Sequence, residues 1–285
     1  MPELLPYNGT YYLWDYVPSL PAAIVFLGLF ATATIWHGAL LLKTQQWFCL
    51  PFIFGGLCMC TPRPVVSRGI LKLTNFKVEI GGYAARCVSH FNTSELLPYV
   101  IQSTFILIPP VLFAASIYMI LGRIIRQANG EHFAIVPVRW LTVIFVTGDI
   151  FAFIVQASGA GLMATDGNTS LGEKIIIGGL GIQIVMFSLF IVTAGIFHLR
   201  YHRLSVGAVT GDSAVWKPSL YMLYAVSWLI LIRSIFRLIE FIMGRGGYLL
   251  RHEWTLYVFD SALMWGVMVL FALWWPRKIQ PKKLG

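Results

Sequence analysis

Six continuous apolar runs, each long enough to cross a bilayer as a helix, dominate this sequence: Ser19–Leu42, Leu96–Leu121, Trp140–Ala164, Lys174–His198, Pro218–Met243 and Trp254–Trp275. A spanning helix needs about 20 such residues. Lipid offers no partner to a backbone amide, so a chain with this many runs is confined to a helical membrane bundle. Outer-membrane strands are excluded because they alternate apolar with polar residues over short lengths. Composition closes the soluble alternative: 58% of residues are hydrophobic and only 12% charged, with a mean hydropathy of +0.74. That leaves too little polar surface to cover a water-soluble fold.

The stretch Trp47–Phe91 breaks the pattern. Trp47–Cys60 is apolar but short, and Val78–Phe91 is a second short piece. Between them lie two prolines and four cations, Arg63, Arg68, Lys72 and Lys77, which cannot sit in hydrocarbon as a helix. Joining the two pieces gives one span of suitable length. The expectation is therefore seven spans in a single membrane domain, residues 1–285, with the second helix interrupted by an insertion over about 57–77. Two half-spans flanking a re-entrant loop and a non-native, intron-derived segment both account for that insertion. Pro109 and Pro110, in mid-run, predict a kink in the third helix.

Orientation follows from the connections, because Lys and Arg accumulate on the cytoplasmic side. With the N-terminus outside, the inner connections carry Lys43, Arg123, Arg126, Arg139, Arg200, Arg203, Lys217, Arg277, Lys278, Lys282 and Lys283. The outer ones carry only Lys174, Arg245 and Arg251. This predicts an outer N-terminus and a basic cytoplasmic tail over 276–285. The sequons at Asn8, Asn92 and Asn168 all fall on the outer side and are candidate glycosylation sites. The net charge of +9 belongs to this asymmetry rather than to nucleic-acid binding. The N-terminal residues lack the basic and apolar regions of a cleavable signal peptide.

Ionisable groups inside spans are costly and by default mark a functional or structural polar core. Here they recur at helical spacing: Glu79, Tyr83 and Arg86 in the second helix, Arg233, Arg237 and Glu240 in the sixth, Glu253, Tyr257 and Asp260 in the seventh. The fourth helix adds Asp149 and Gln156, the fifth Gln183, and the third Tyr99, Gln102 and Tyr118. Residues at i, i+4 and i+7 share one helix face, so one stripe per helix predicts convergence on the bundle interior. A polar cavity for a headgroup or a proton is the functional reading of this set. Buried ion pairs that fix helix register are the structural one.

Other chemistries find little support. His198 and His202 have metal-ligand spacing and His37 lies at the same membrane face, but a headgroup-level basic rim explains the pair, and no metal or cofactor is expected. Cys58 and Cys60 lack a partner His nearby. There is no P-loop, no GxSxG, and no lysine in the last run to carry retinal. A non-enzymatic protein is expected.

The ordered motifs EIGGYAAR (79–86), YVIQSTFILIPPVLFAASIYMILGRII (99–125), GDIFAFIVQASGAG (148–161), GLGIQIVMFSLF (179–190), RSIFRLIEF (233–241) and HEWTLYVFDSALM (252–264) resemble the fungal lipid-translocating exporter family, RTA-like seven-helix proteins. The likeness covers nearly the whole chain apart from the insertion, where the family pattern looks continuous. It implies a plasma-membrane or endomembrane protein that moves amphipathic molecules: sphingoid bases, phospholipids, sterol-like toxicants or porphyrin. The family's polar positions match Glu79, Tyr83, Arg86, Asp149, Gln156, Gln183, Arg233, Arg237, Glu240, Glu253 and Asp260. The functional expectation is a lipid transporter or export factor whose partners are membrane lipids and an amphipathic small molecule. A seven-helix lipid receptor and an intramembrane metal-dependent lipid hydrolase stand as alternatives.

Overall fold

A computed structural model describes residues 19–60, 96–128, 130–163, 169–204, 213–244 and 253–275. Among these there is no strand. The helices are α1 (Leu20–Thr44), α2 (Leu50–Cys60, entered through a 3-10 turn at Trp47–Cys49), α3 (Leu96–Gln127), α4 (Val138–Met163), α5 (Thr169–Leu204) and α6 (Ser213–Met243). The last, α7, is α-helical over Glu253–Leu256, π-helical over Tyr257–Ala262 and α-helical again over Leu263–Leu273. Six of the seven are long and apolar enough to cross a membrane, whereas the apolar piece Trp47–Met59 is too short by itself. The chain is a multi-pass membrane bundle.

Helix limits exceed the apolar runs at several ends. The α5 helix begins at Thr169 and α6 at Ser213, so Lys174 and Pro218 lie inside helices rather than at their starts. The α3 helix passes through both Pro109 and Pro110. The α2 helix continues through Leu57 to Cys60, so the first four residues of the expected insertion are helical, and the remainder, 61–77, lies outside the described residues. Glu79, Tyr83, Arg86, the three sequon asparagines Asn8, Asn92 and Asn168, and the tail 276–285 also lie outside them.

Consecutive helices pack side by side, and α7 returns against α1 to close a ring. The α3 helix also packs on α6 across that ring. Its apolar window is 67% buried, against 22% for α4 and 28% for α5, which puts α3 at the centre and the exposed faces of α4 and α5 toward lipid. The α3–α6 contact divides the bundle into two sub-bundles sharing those helices. One holds α4 and α5; the other holds α7, α1 and α2.

Short α2 is wedged deeply into the second sub-bundle. Phe52 stacks on Phe113 of α3 (4.3 Å between ring centroids) and on Phe271 of α7 (4.0 Å). A Cβ on Gly55 would lie 2.6 Å from the Phe113 ring, and one on Gly56 would lie 2.6 Å from the Thr34 hydroxyl. Two adjacent glycines thus bring the α2 backbone against α3 on one side and α1 on the other. Aromatic burial of this kind carries most of the packing energy, about 3–5 kcal/mol for a fully buried Phe truncated to Ala.

Candidate functional site

The intramembrane polar residues are placed in separate seams between neighbouring helices. In the α3–α4 seam, the Tyr118 hydroxyl donates to Asp149 Oδ2 at 2.7 Å. Tyr118 is fully buried and Asp149 nearly so. The rings of Phe145, Phe187 and Phe190 surround the phenol at 4.5–6.0 Å. The second oxygen of Asp149, Oδ1, is buried without a hydrogen-bond partner, and no cation among the described residues pairs with this carboxyl.

One seam further, between α4 and α5, Gln156 Nε2 donates to Gln183 Oε1 at 3.0 Å. The two helices approach closely here because of glycine. A Cβ on Gly179 would fall 2.7 Å from Gln156 Cγ and 3.1 Å from the Ala152 carbonyl oxygen. Nearer the α4–α5 connection, Gly159 and Gly172 face each other, and a Cβ on Gly159 would sit 2.9 Å from the Gly172 carbonyl oxygen. Small residues let helix backbones approach in lipid, where no hydrophobic force drives helices together.

The second sub-bundle is ionic. Arg233 Nη2 of α6 meets Asp260 Oδ1 of α7 at 2.6 Å, with side chains 4% and 1% exposed. One turn along α6, Arg237 Nη1 donates to Glu240 Oε2 at 2.8 Å, while its guanidinium lies 5.6 Å from the Phe241 ring centroid. Burying such charges is tolerable only when each is matched.

The π turn decides where α7 points its polar residues. With one extra residue per turn, Tyr257–Ala262 leaves the straight 3.6-residue register. Tyr257 stacks on Phe26 of α1 (5.2 Å, 11° between planes), while Asp260 turns to Arg233 of α6. Within the series Glu253, Tyr257, Asp260, the last two residues are therefore divided between neighbours rather than presented as one stripe. Glu253 opens the helix.

The histidines also separate. His37 is buried among Phe52, Phe271 and Trp275 at 5.0–6.0 Å, and its Nδ1–H donates to the Ala33 carbonyl at 2.6 Å. His198 instead stacks on Tyr224 of α6 at 5.9 Å. Among the described residues no three metal-ligating side chains come together.

Comparison with known proteins identifies the family. The family model described as RTA1 like protein matches residues 74–283, which contain every charged pair above. The chain belongs to the RTA1-like family. Among Saccharomyces cerevisiae relatives, this RTA1-like chain is 34% identical to Protein RTA1 over 289 residues, covering 93% of this chain and 84% of that one. It is also 34% identical to Protoporphyrin uptake protein 1 over 281 residues, covering 93% and 92%. Sphingoid long-chain base transporter RSB1 is more distant, at 26% over 284 residues, covering 87% and 69%. No solved structure matches.

Sequence reasoning on this RTA1-like chain found the acids, arginines and glutamines but assigned them to converging stripes. The structure pairs Asp149 with Tyr118, Gln156 with Gln183, Arg233 with Asp260 and Arg237 with Glu240. Tyr118 counted only as one polar residue of the third run, and its role follows from the seam it shares with Asp149. The π turn has no evident signal in sequence.

Proposed function

We propose that this chain is a membrane transporter or export factor for amphipathic molecules, with Asp149 as the group that receives a proton or the cationic amine of a sphingoid-type substrate. Two relatives are named for moving amphipathic compounds, a sphingoid base in one case and protoporphyrin in the other. The observation that carries the reading is the Asp149 carboxyl, with one oxygen on Tyr118 and the other buried and unpartnered. An isolated carboxylate buried in an apolar medium is costly unless neutralised, so a proton or an ammonium group has a defined place to bind. Asp260 already has Arg233 as its counter-charge and serves to hold α6 against α7. Glu79, Tyr83, Arg86, Gln156, Gln183, Arg237, Glu240, Glu253 and Tyr257 are the further positions proposed for substrate binding or proton relay, in seams other than that of Asp149 where they are described. The protein would act without an enzymatic step.

Reconstituting the purified chain in liposomes and following transbilayer movement of a fluorescent sphingoid base tests this reading. Wild type should accelerate movement, and Asp149→Asn should reduce it at least tenfold while keeping its normal elution and melting. Asparagine keeps an acceptor for Tyr118 but cannot be charged. Equal flux in wild type and Asp149→Asn would remove Asp149 from the mechanism. Saturable binding with no flux in either would turn the assignment toward a lipid receptor. The proposed arrangement has seven spans, an outer N-terminus and plasma-membrane residence, with sugar on Asn8, Asn92 or Asn168. A glycosidase-sensitive mass shift lost in Asn8→Gln/Asn92→Gln/Asn168→Gln checks the outer placement.

A further inference from the structure

The connection between α3 and α4 forms a half-open surface pocket that the polar seams do not use. It measures about 390 Å³ and is lined by Arg126 at the end of α3, Glu131 and Ile135 in the connection, and Pro137, Val138 and Arg139 at the start of α4. The walls are held in place. Gly130 N–H donates to the Ile125 carbonyl at 3.0 Å, and a Cβ on Gly130 would sit 2.9 Å from the Phe197 ring of α5, so the turn is pinned against that helix. Val138 is buried and packs over Gly122 of α3.

Three features of this pocket favour a negatively charged group. Arg126 contacts Glu131 only at 3.8 Å, with both side chains more than half exposed, so the pair is loose and screened. Arg139 is exposed and has no ion-pair partner among the described residues. The first-turn N–H groups of Val138 and Arg139 have no intrahelical acceptor, and they lie at the positive end of the 26-residue α4 dipole. Two guanidiniums lining a pocket at a helix N-terminus suit the charge of a phosphate. Trp140 and Ile135, 55% and 48% exposed beside the pocket, supply an interfacial ring and an apolar surface for an acyl chain. Lys43, Arg200 and Arg203 fall at the same end of the bundle, the face where an anionic leaflet would lie.

We infer that this pocket binds the phosphate of an anionic lipid headgroup, with Arg126 and Arg139 as its ligands and Glu131 as the carboxylate displaced when it is filled. The site stands apart from the proposed transport path, and its placement against an anionic leaflet rests on the outer N-terminus proposed above. The full-length protein in neutral detergent, titrated with dioctanoyl phosphatidic acid, tests it, with dioctanoyl phosphatidylcholine and inorganic phosphate as comparison probes. Phosphatidic acid should saturate at a concentration at least tenfold below phosphatidylcholine. Arg126→Gln/Arg139→Gln should weaken it tenfold or more. Arg200→Gln/Arg203→Gln, which removes the same net charge elsewhere on that end, should change it less than twofold. Glu131→Gln should tighten it several-fold, and this variant decides the matter if the double arginine variant fails to fold. The inference is overturned by equal losses in the two double variants, by unchanged affinity in Glu131→Gln, or by phosphatidic acid binding no tighter than phosphatidylcholine. Inorganic phosphate competing at the same concentration as the lipid would also overturn it, by making the site one for a soluble phosphate.

Discussion

The two sub-bundles answer the cost of polarity in lipid in different ways. Around α4 and α5 the polar groups are uncharged donors, glutamines and one carboxyl, and the helices are joined by glycine contact. Between α6 and α7 the charges are matched in a buried ion pair, and α7 widens into a π turn to reach it. A matched pair is neutral as a unit and gains little from further ligands. A single carboxyl held by one phenol is incomplete, and so it is the better candidate for binding. The glycine seam next to it gives a tight hairpin on which that carboxyl is mounted, whereas the π turn is an irregular segment of the kind often found at functional sites.

The largest expected effect breaks the ionic half. Arg233→Met or Asp260→Leu alone should lower stability by about 3–5 kcal/mol, because the remaining charge is left buried and unpaired. The double variant should recover most of that loss, since well-packed apolar replacements of a buried pair are often neutral. Thermal unfolding in detergent reads all three. A double variant as damaged as the worse single one would show that the charges serve other partners. Asp149→Asn should cost far less stability than either, which separates the two acids on one assay.

A smaller effect breaks the glycine half. Gly179→Val and Gly159→Leu must push Gln156 and the Gly172 backbone aside, an overpacking cost of about 1–3 kcal/mol each. Gly178 and Gly181 flank the same seam but have open space where a Cβ would go. Gly178→Ala and Gly181→Ala should be neutral or stabilising by about 0.5–1 kcal/mol, as expected for glycine replaced within a helix. Equal damage at all four positions would mean that the hairpin is not held by close approach at Gly179 and Gly159.

Much of this was legible because lipid imposes simple rules. Apolar run length alone located α1, α3, α4, α5, α6 and α7, and burial cost alone picked out Asp149, Arg233, Arg237, Glu240 and Asp260. Partner choice was not legible. Helical spacing assigns Arg237 and Arg233 to one face, yet Arg237 bonds to Glu240 on its own helix while Arg233 crosses to α7. Spacing also assumes an unbroken 3.6-residue register, and the π turn at Tyr257–Ala262 violates it. The fit of α2 between α1, α3 and α7 depends on Gly55, Gly56 and Phe52 meeting residues far away in sequence. No local pattern announces that.

The smallest predicted effect sharpens the contrast most finely. Gln156 and Gln183 exchange one neutral hydrogen bond across a seam already fixed by glycine. Interhelical hydrogen bonds in membrane proteins contribute only about 0.6 kcal/mol on average, since an unfolded helix in the bilayer finds other partners. A double-mutant cycle through Gln156→Leu and Gln183→Leu should give a coupling of about that size, several-fold below the cycle for Arg233 and Asp260. The same cycle measured on transport gives the second reading. If the glutamines only join helices, flux should follow stability through the cycle. If they line the path beside Asp149, each single change should slow flux by more than its stability cost explains, and the double should not rescue it. A coupling as large as the ionic one would overturn the division of the bundle into a hydrogen-bonded half and a charged half.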